Sequence, residues 1–156
     1  MFHFQPVERA PGTIIEAGNF GRLIREVHEG VPINGRVFVL GMLCREMLFE
    51  LIRVQHYPQL PSRLTCVFVL PTRGDADAYG RNNNADGRQV LHEVSLENPN
   101  TLTHTAWISH CTMQSGGSFL NQMEPKAHAY WSGQHGSESD GQEMLIAGAV
   151  RIVRRV

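Results

Sequence analysis

Read as a string of apolar and polar positions, the chain changes period along its length. Over residues 40–54, "LGMLCREMLFELIRV", apolar side chains return at Leu40, Leu43, Cys44, Met47, Leu48, Leu51 and Val54. Steps of three and four are the period of a helix with one apolar stripe. The pattern predicts a helix that buries this stripe and leaves Arg45, Glu46, Glu50 and Arg53 on the remaining surface. Pro58 and Pro61 stop it.

Elsewhere the pattern is that of strands. "LTCVFVL" (64–70) is branched and aromatic throughout, as a buried strand is. "RQVLHEVSL" (88–96) and "LTHTAWISHC" (102–111) read as two more, and "MFHFQPV" (1–7) as an early one ended by Pro6 or by Pro11-Gly12. The apolar run "EMLIAGAVRIVRRV" (143–156) reads as one central strand. Between these lie a helical turn over Leu23–His28, a short helix and polar turn in 72–87, and a loop with a short helix in 115–133. "QHGSESDG" (134–141) has turn residues and no apolar anchor, which predicts an exposed loop with few backbone partners. Strands cluster in the second half, and helices precede or interrupt them. The order predicts an α+β fold in a single domain over 1–156, not an alternating parallel sheet.

Composition narrows the function classes. The chain has 156 residues, 42% of them hydrophobic, and a net charge of −1, so no overall basic field attracts nucleic acid or a membrane surface. No apolar run reaches membrane-spanning length, and "MFHFQPVERA" lacks the build of a secretory signal. Three cysteines with wide spacing, Cys44, Cys66 and Cys111, fit free thiols in a reducing cytosol, hence a cytoplasmic location. Phosphate-loop, dinucleotide-fingerprint, His-Glu-x-x-His and Cys-x-x-Cys motifs are absent. The eight histidines lack zinc-type spacing, so no metal is expected.

The candidate chemistry centres on Glu143, a carboxylate at the front of an apolar run. The simple reading is a strand cap pointing to solvent. The functional reading places it at a strand end that opens on a cleft, with the 134–141 loop just before it, Tyr130 and Trp131 before that loop, and His3 between Phe2 and Phe4. On a strand, His3 faces away from both phenylalanines.

In this order the chain resembles the ADP-ribosyltransferase superfamily, of the diphtheria-toxin and poly(ADP-ribose) polymerase kind, and within it the small bacterial members. His3 in "FHF" resembles the first-strand histidine, "PSRLTCVFVL" followed by "ADAYG" the second conserved strand and its helix, and Glu143 in "GQEMLIAG" the catalytic glutamate. The resemblance implies a compact fold with a mostly antiparallel split sheet and flanking helices. It implies NAD as co-substrate, transfer of ADP-ribose to a macromolecular acceptor, a protein before a nucleic acid, and a toxin, defence or phage-conflict role. It implies Glu143 as the catalytic residue and His3, Arg63, Phe68, Tyr79 and Trp131 as NAD-binding, with His3, Tyr79 and Glu143 converging on one cleft. Arg63 would meet the pyrophosphate or else close off a strand at the surface. Tyr79 would stack on nicotinamide or cover a helix–sheet interface, and Trp131 would wall the pocket or fill the core edge. Phe68 stands where the family has a first tyrosine, and Gly141 where arginine-directed members carry Glu or Gln, so arginine is not implied as the acceptor. Two alternatives stay open: an RNA 2′-phosphotransferase drawing on Arg22, Arg25 and Arg63, and a non-enzymatic module that keeps the fold.

Overall fold

A computed structural model describes residues 1–25, 33–114 and 116–156, with side chains described except for residues 23 and 33–39. Among the described residues, seven strands form two antiparallel sheets. β1 (Phe2–Gln5), β4 (Val90–Leu96), β7 (Val150–Arg155) and β2 (Ile14–Ile15) make a four-stranded sheet in that order. β3 (Val67–Val69), β6 (Gln142–Ile146) and β5 (Thr103–Trp107) make a three-stranded one. The sheets touch along a seam where Phe2 of β1 bridges Leu70, just beyond β3. The helices are α1 (Asn19–Arg25), α2 (Ile33–His56), α3 (Arg73–Asn83) and α4 (Phe119–Ser132). The fold is α+β, with a split antiparallel sheet and flanking helices. The part of the expected Leu23–His28 turn beyond Arg25 lies outside the described residues.

Two apolar layers follow from the alternation of side chains along strands. Val67, Val69 and Ile146 from the small sheet meet Val94, Val150 and Ile152 from the large one. On its other face the small sheet packs Leu145 and Ala106 against Phe49 and Ile52 of α2 and Met123, Ala127, Tyr130 and Trp131 of α4.

Two expectations are corrected here. The run 143–156 is not one strand: β6 ends at Ile146, and the chain crosses over Ala147–Ala149 to become β7 in the other sheet. Gly148 makes the crossing against Thr101, where a Cβ would stand 3.1 Å from that side chain. The second concerns α2, whose helical period holds but whose buried face is a different one. Leu40, Met47, Leu51 and Val54 are exposed, whereas Phe49, Ile52 and Glu46 are buried.

Candidate functional site

Glu143 lies second in β6, on the face shared with Leu145 and Ala106, and is 8% exposed. Three local features set it there. Gly141, at φ +74, takes the left-handed turn before the strand and lies against α3, where a Cβ would stand 3.1 Å from the Asp75 Cα. Asp75 caps α3 with Thr72 in a reciprocal capping box, and its Oδ1 accepts the Gln142 N–H at 2.8 Å. Antiparallel pairing then fixes the register of β6 between Phe68↔Leu145 on one side and Ala106↔Glu143 on the other.

The Glu143 carboxylate closes on Arg63. The guanidinium of Arg63 donates to Glu143 Oε1, to Glu46 Oε2 at 2.8 Å and to the Tyr130 hydroxyl at 2.7 Å. The Tyr130 O–H in turn donates to Glu143 Oε1 at 2.7 Å. Arg45 reaches in from the helix flank, donating to Glu46 Oε1 and to the Cys111 carbonyl, each at 2.9 Å. Aromatic rings lie close to the guanidinium, with the ring centres of Phe68 at 4.8 Å and Tyr130 at 4.9 Å from its carbon. Among the described residues, no buried side-chain polar atom lacks a partner.

The electrostatics follow from two charged acids and one enclosed guanidinium. Burial pulls the Arg63 pKa down, but Cys111, Glu143, Glu46 and Tyr130 around it raise it well above the ordinary value. Burial would raise Glu46, but the charges and hydrogen bonds of Arg63 and Arg45 outweigh it and hold the acid below the usual range. Tyr130 is pushed well up, chiefly by burial, so it keeps its proton and serves as a donor. Burial pushes the Cys66 and Cys111 thiols up to about 12 each, which makes them poor nucleophiles at neutral pH.

His3 occupies the seam. Its Nδ1–H donates to the Phe68 carbonyl at 2.6 Å, and its Nε2 accepts from the Gln5 amide at 2.5 Å, an arrangement that suits the neutral ring. It faces away from Phe4, which packs on Tyr79 of α3 at 5.5 Å between ring centres. Trp131 is 2% exposed, donates its indole N–H to the Phe49 carbonyl at 2.8 Å and stacks on His104.

The sequence-predicted set is therefore brought together in part. Arg63, Phe68 and Glu143 share one cluster, with Trp131 against its Tyr130 wall and His3 tied to its strand. Tyr79 senses the Glu143 charge, which together with burial raises its phenol pKa, yet hydrogen bonds join neither Tyr79 nor His3 to Glu143 among the described residues. The expected open cleft at Glu143 is corrected to a closed ion pair, and Glu143 is not an outward strand cap. Two surface hollows, of about 470 and 220 Å³, open elsewhere, the larger between α3 and the end of β7 and the smaller beside β2. Arg63 is a core residue and not a surface one. Glu46, expected on the surface, is its second acid. The legible signal for Glu46 was the spacing Glu46, Phe49, Ile52, a competing stripe on the same helix.

Among the described residues, no three or more His, Cys, Asp or Glu gather as a metal site, and no helix is long and apolar enough to cross a membrane. No curated protein matches the chain. A family model matches residues 36–156, a span that holds Arg63, Phe68, Tyr79, Trp131 and Glu143 and begins after His3. By that match the chain belongs to the family described as protein of unknown function (DUF2441).

Proposed function

We propose that this protein is an ADP-ribosyltransferase-like enzyme that uses NAD and transfers ADP-ribose to a macromolecular acceptor. The observation that carries the reading is the order of three strands. The strands of His3, Phe68 and Glu143 lie side by side as β1, β3 and β6, joined by the Phe2↔Leu70 bridge and the Phe68↔Leu145 pairing. The His3–Phe68 hydrogen bond spans the seam at 2.6 Å. In strand order a histidine, an aromatic and a carboxylate thus follow one another across a split sheet, with Phe68 and Glu143 on the face toward α2 and α4 and His3 on the face between the sheets.

As arranged, the carboxylate is closed off from a dinucleotide: Arg63 and Tyr130 cover it. Catalysis requires those two groups to yield as the sugar enters. Glu143 would then face the positive charge that develops as the C–N glycosidic bond breaks. Gln5, half-buried, is the side chain that must swing aside to free the His3 Nε2 for a ribose hydroxyl.

A second reading is favoured by one observation: the Glu143, Arg63, Glu46 and Tyr130 cluster is fully satisfied without a ligand. Such a cluster suits a non-enzymatic module in which the ion pair is structural.

The experiment is incubation with NAD labelled in the adenylate, alone and with cell extract, following label transfer and nicotinamide release. The enzyme reading expects nicotinamide release, and a loss of about 10²–10³ in rate for Glu143→Gln in the fraction that remains folded. Absence of both release and transfer with the wild-type chain rejects it in favour of the module.

A further inference from the structure

We propose that the outward stripe of α2 is a homodimer seam, which seats the same stripe of a second copy of this chain. Leu40 is 51% exposed, Met47 62%, Leu51 53% and Val54 55%, and Cys44 is exposed among them. Their spacing of four, three, four and three residues is a heptad seam, the pattern by which two helices interlock. The line carries no charge. The charged neighbours are turned away and engaged: Arg45 on Glu46 and the Cys111 carbonyl, and Glu50 on Arg53 and Ser62. Polar residues would serve a solvent-facing helix surface better, and single exposed apolar residues need no explanation, but a continuous row does.

The row is complementary to itself. Laid antiparallel about Met47, it sets Leu40 against Val54, the small Cys44 against the larger Leu51, and Met47 against its own copy. A patch that matches itself under a twofold axis is what an isologous dimer needs. From Leu40 to Val54 the helix rises about 21 Å. With about 100 Å² offered by each of the four large side chains, the two copies would cover ~800 Å² together, just short of the ~1,000 Å² of a stable specific interface and in the range of a weak, concentration-dependent one. A dimer of that size dissociates on dilution.

The test is the mass of the full chain by sedimentation over a range on the order of 1–200 µM. The expected result is a rise toward twice the 17.5 kDa monomer mass. Met47→Glu and Leu51→Lys, both at exposed sites on the row, should hold the chain at monomer mass throughout with unchanged circular dichroism. Val153→Glu, at an exposed apolar site on β7, should dimerise like the wild type. Cys44 supplies a second readout, since the other two thiols are buried. Its alkylation should slow several-fold as wild-type concentration rises, and stay constant in Met47→Glu. A wild-type monomer at the top concentration overturns the proposal, as does a dimer that survives both substitutions or Cys44 reactivity that ignores concentration.

Discussion

Arg63 and Glu143 stand 80 positions apart in sequence and meet as a buried ion pair, with the Tyr130 hydroxyl bonded to both. Neither charge has bulk water to fall back on, so each is tolerated only because an opposite charge meets it. The second acid, Glu46, makes Arg63 the hinge of the cluster: one guanidinium answers two carboxylates.

Removing one partner should therefore cost more than a surface substitution. Glu143→Gln keeps an acceptor for Arg63 and should lose about 3 kcal/mol, whereas Arg63→Met strands Glu143 and leaves Glu46 with Arg45 alone, and should lose about 5 kcal/mol or more. Urea denaturation of the two variants checks the ranking. Equal and small losses, below about 1 kcal/mol, would show that the pair contributes little.

Tyr130→Phe keeps the ring that packs on Phe49 and Arg63 and deletes only the hydroxyl. A hydrogen bond to a charged group is lost on each side, so a cost of about 1.5–3 kcal/mol is expected. Trp131→Phe likewise deletes the indole N–H that the Phe49 carbonyl accepts, though that carbonyl keeps its place in the α2 ladder, so a smaller cost is expected. Melting temperatures report both.

Acid should weaken the fold in two stages. Burial lowers the pKa of His3 and of His104, against the upward pull of the Phe68 and Tyr130 carbonyls. Unfolding restores the ordinary value of about 6.5, so the unfolded chain binds protons that the folded chain refuses. This stability is complete above about pH 6.5 and is lost as pH falls through the folded values. Glu46 and Glu50 are held below the usual range in spite of burial, by their arginines and, for Glu50, by Ser62 as well. Their contribution is complete above about pH 4.3 and disappears further into acid. Unfolding free energies from pH 8 to pH 4 should show a first decline that His104→Asn flattens. A level profile down to pH 5 would remove the histidines from the account.

Gly21→Ala should damage the fold out of proportion to one methyl group. A Cβ at Gly21 would fall 1.8 Å from the Leu64 carbonyl oxygen, so α1 cannot sit where it does without backbone movement. Overpacking against rigid backbone costs about 1–3 kcal/mol or more. The melting temperature should drop by several degrees, and an unchanged value would mean that α1 gives way freely.

Much of the fold was legible because strands and helices write their periods locally. β1, β4 and β5 fall where alternation and β-branching placed them, and α2 and α3 where period and polar turns did. The loop at 134–141 is exposed as its turn residues suggested, but it is pinned as well. Gly136 lies against Trp107 and Ser109, and His135 packs on the Trp107 ring at 4.4 Å. What the sequence hid were relations between distant positions. In α2, either of two stripes could face inward, and the more apolar one was expected to. Glu46 turns inward because Arg63 and Arg45 wait for it, which no local pattern records. The same holds for Glu143: its place at the front of an apolar strand was plain, its closure by Arg63 was not.

The crossing at Ala147–Ala149 bears on how the protein comes into being. It makes one short segment supply an interior strand to each sheet, β6 between β3 and β5, and β7 between β4 and β2. During synthesis, β3 and β5 wait as unmatched edges until 142–146 emerges, and β4 and β2 until 150–155 does. Neither sheet can close early, so the chain should be sensitive to protease on the ribosome up to its last strand. A nascent chain arrested at residue 140 would be digested, and release of the remaining residues should bring protection to both sheets at once.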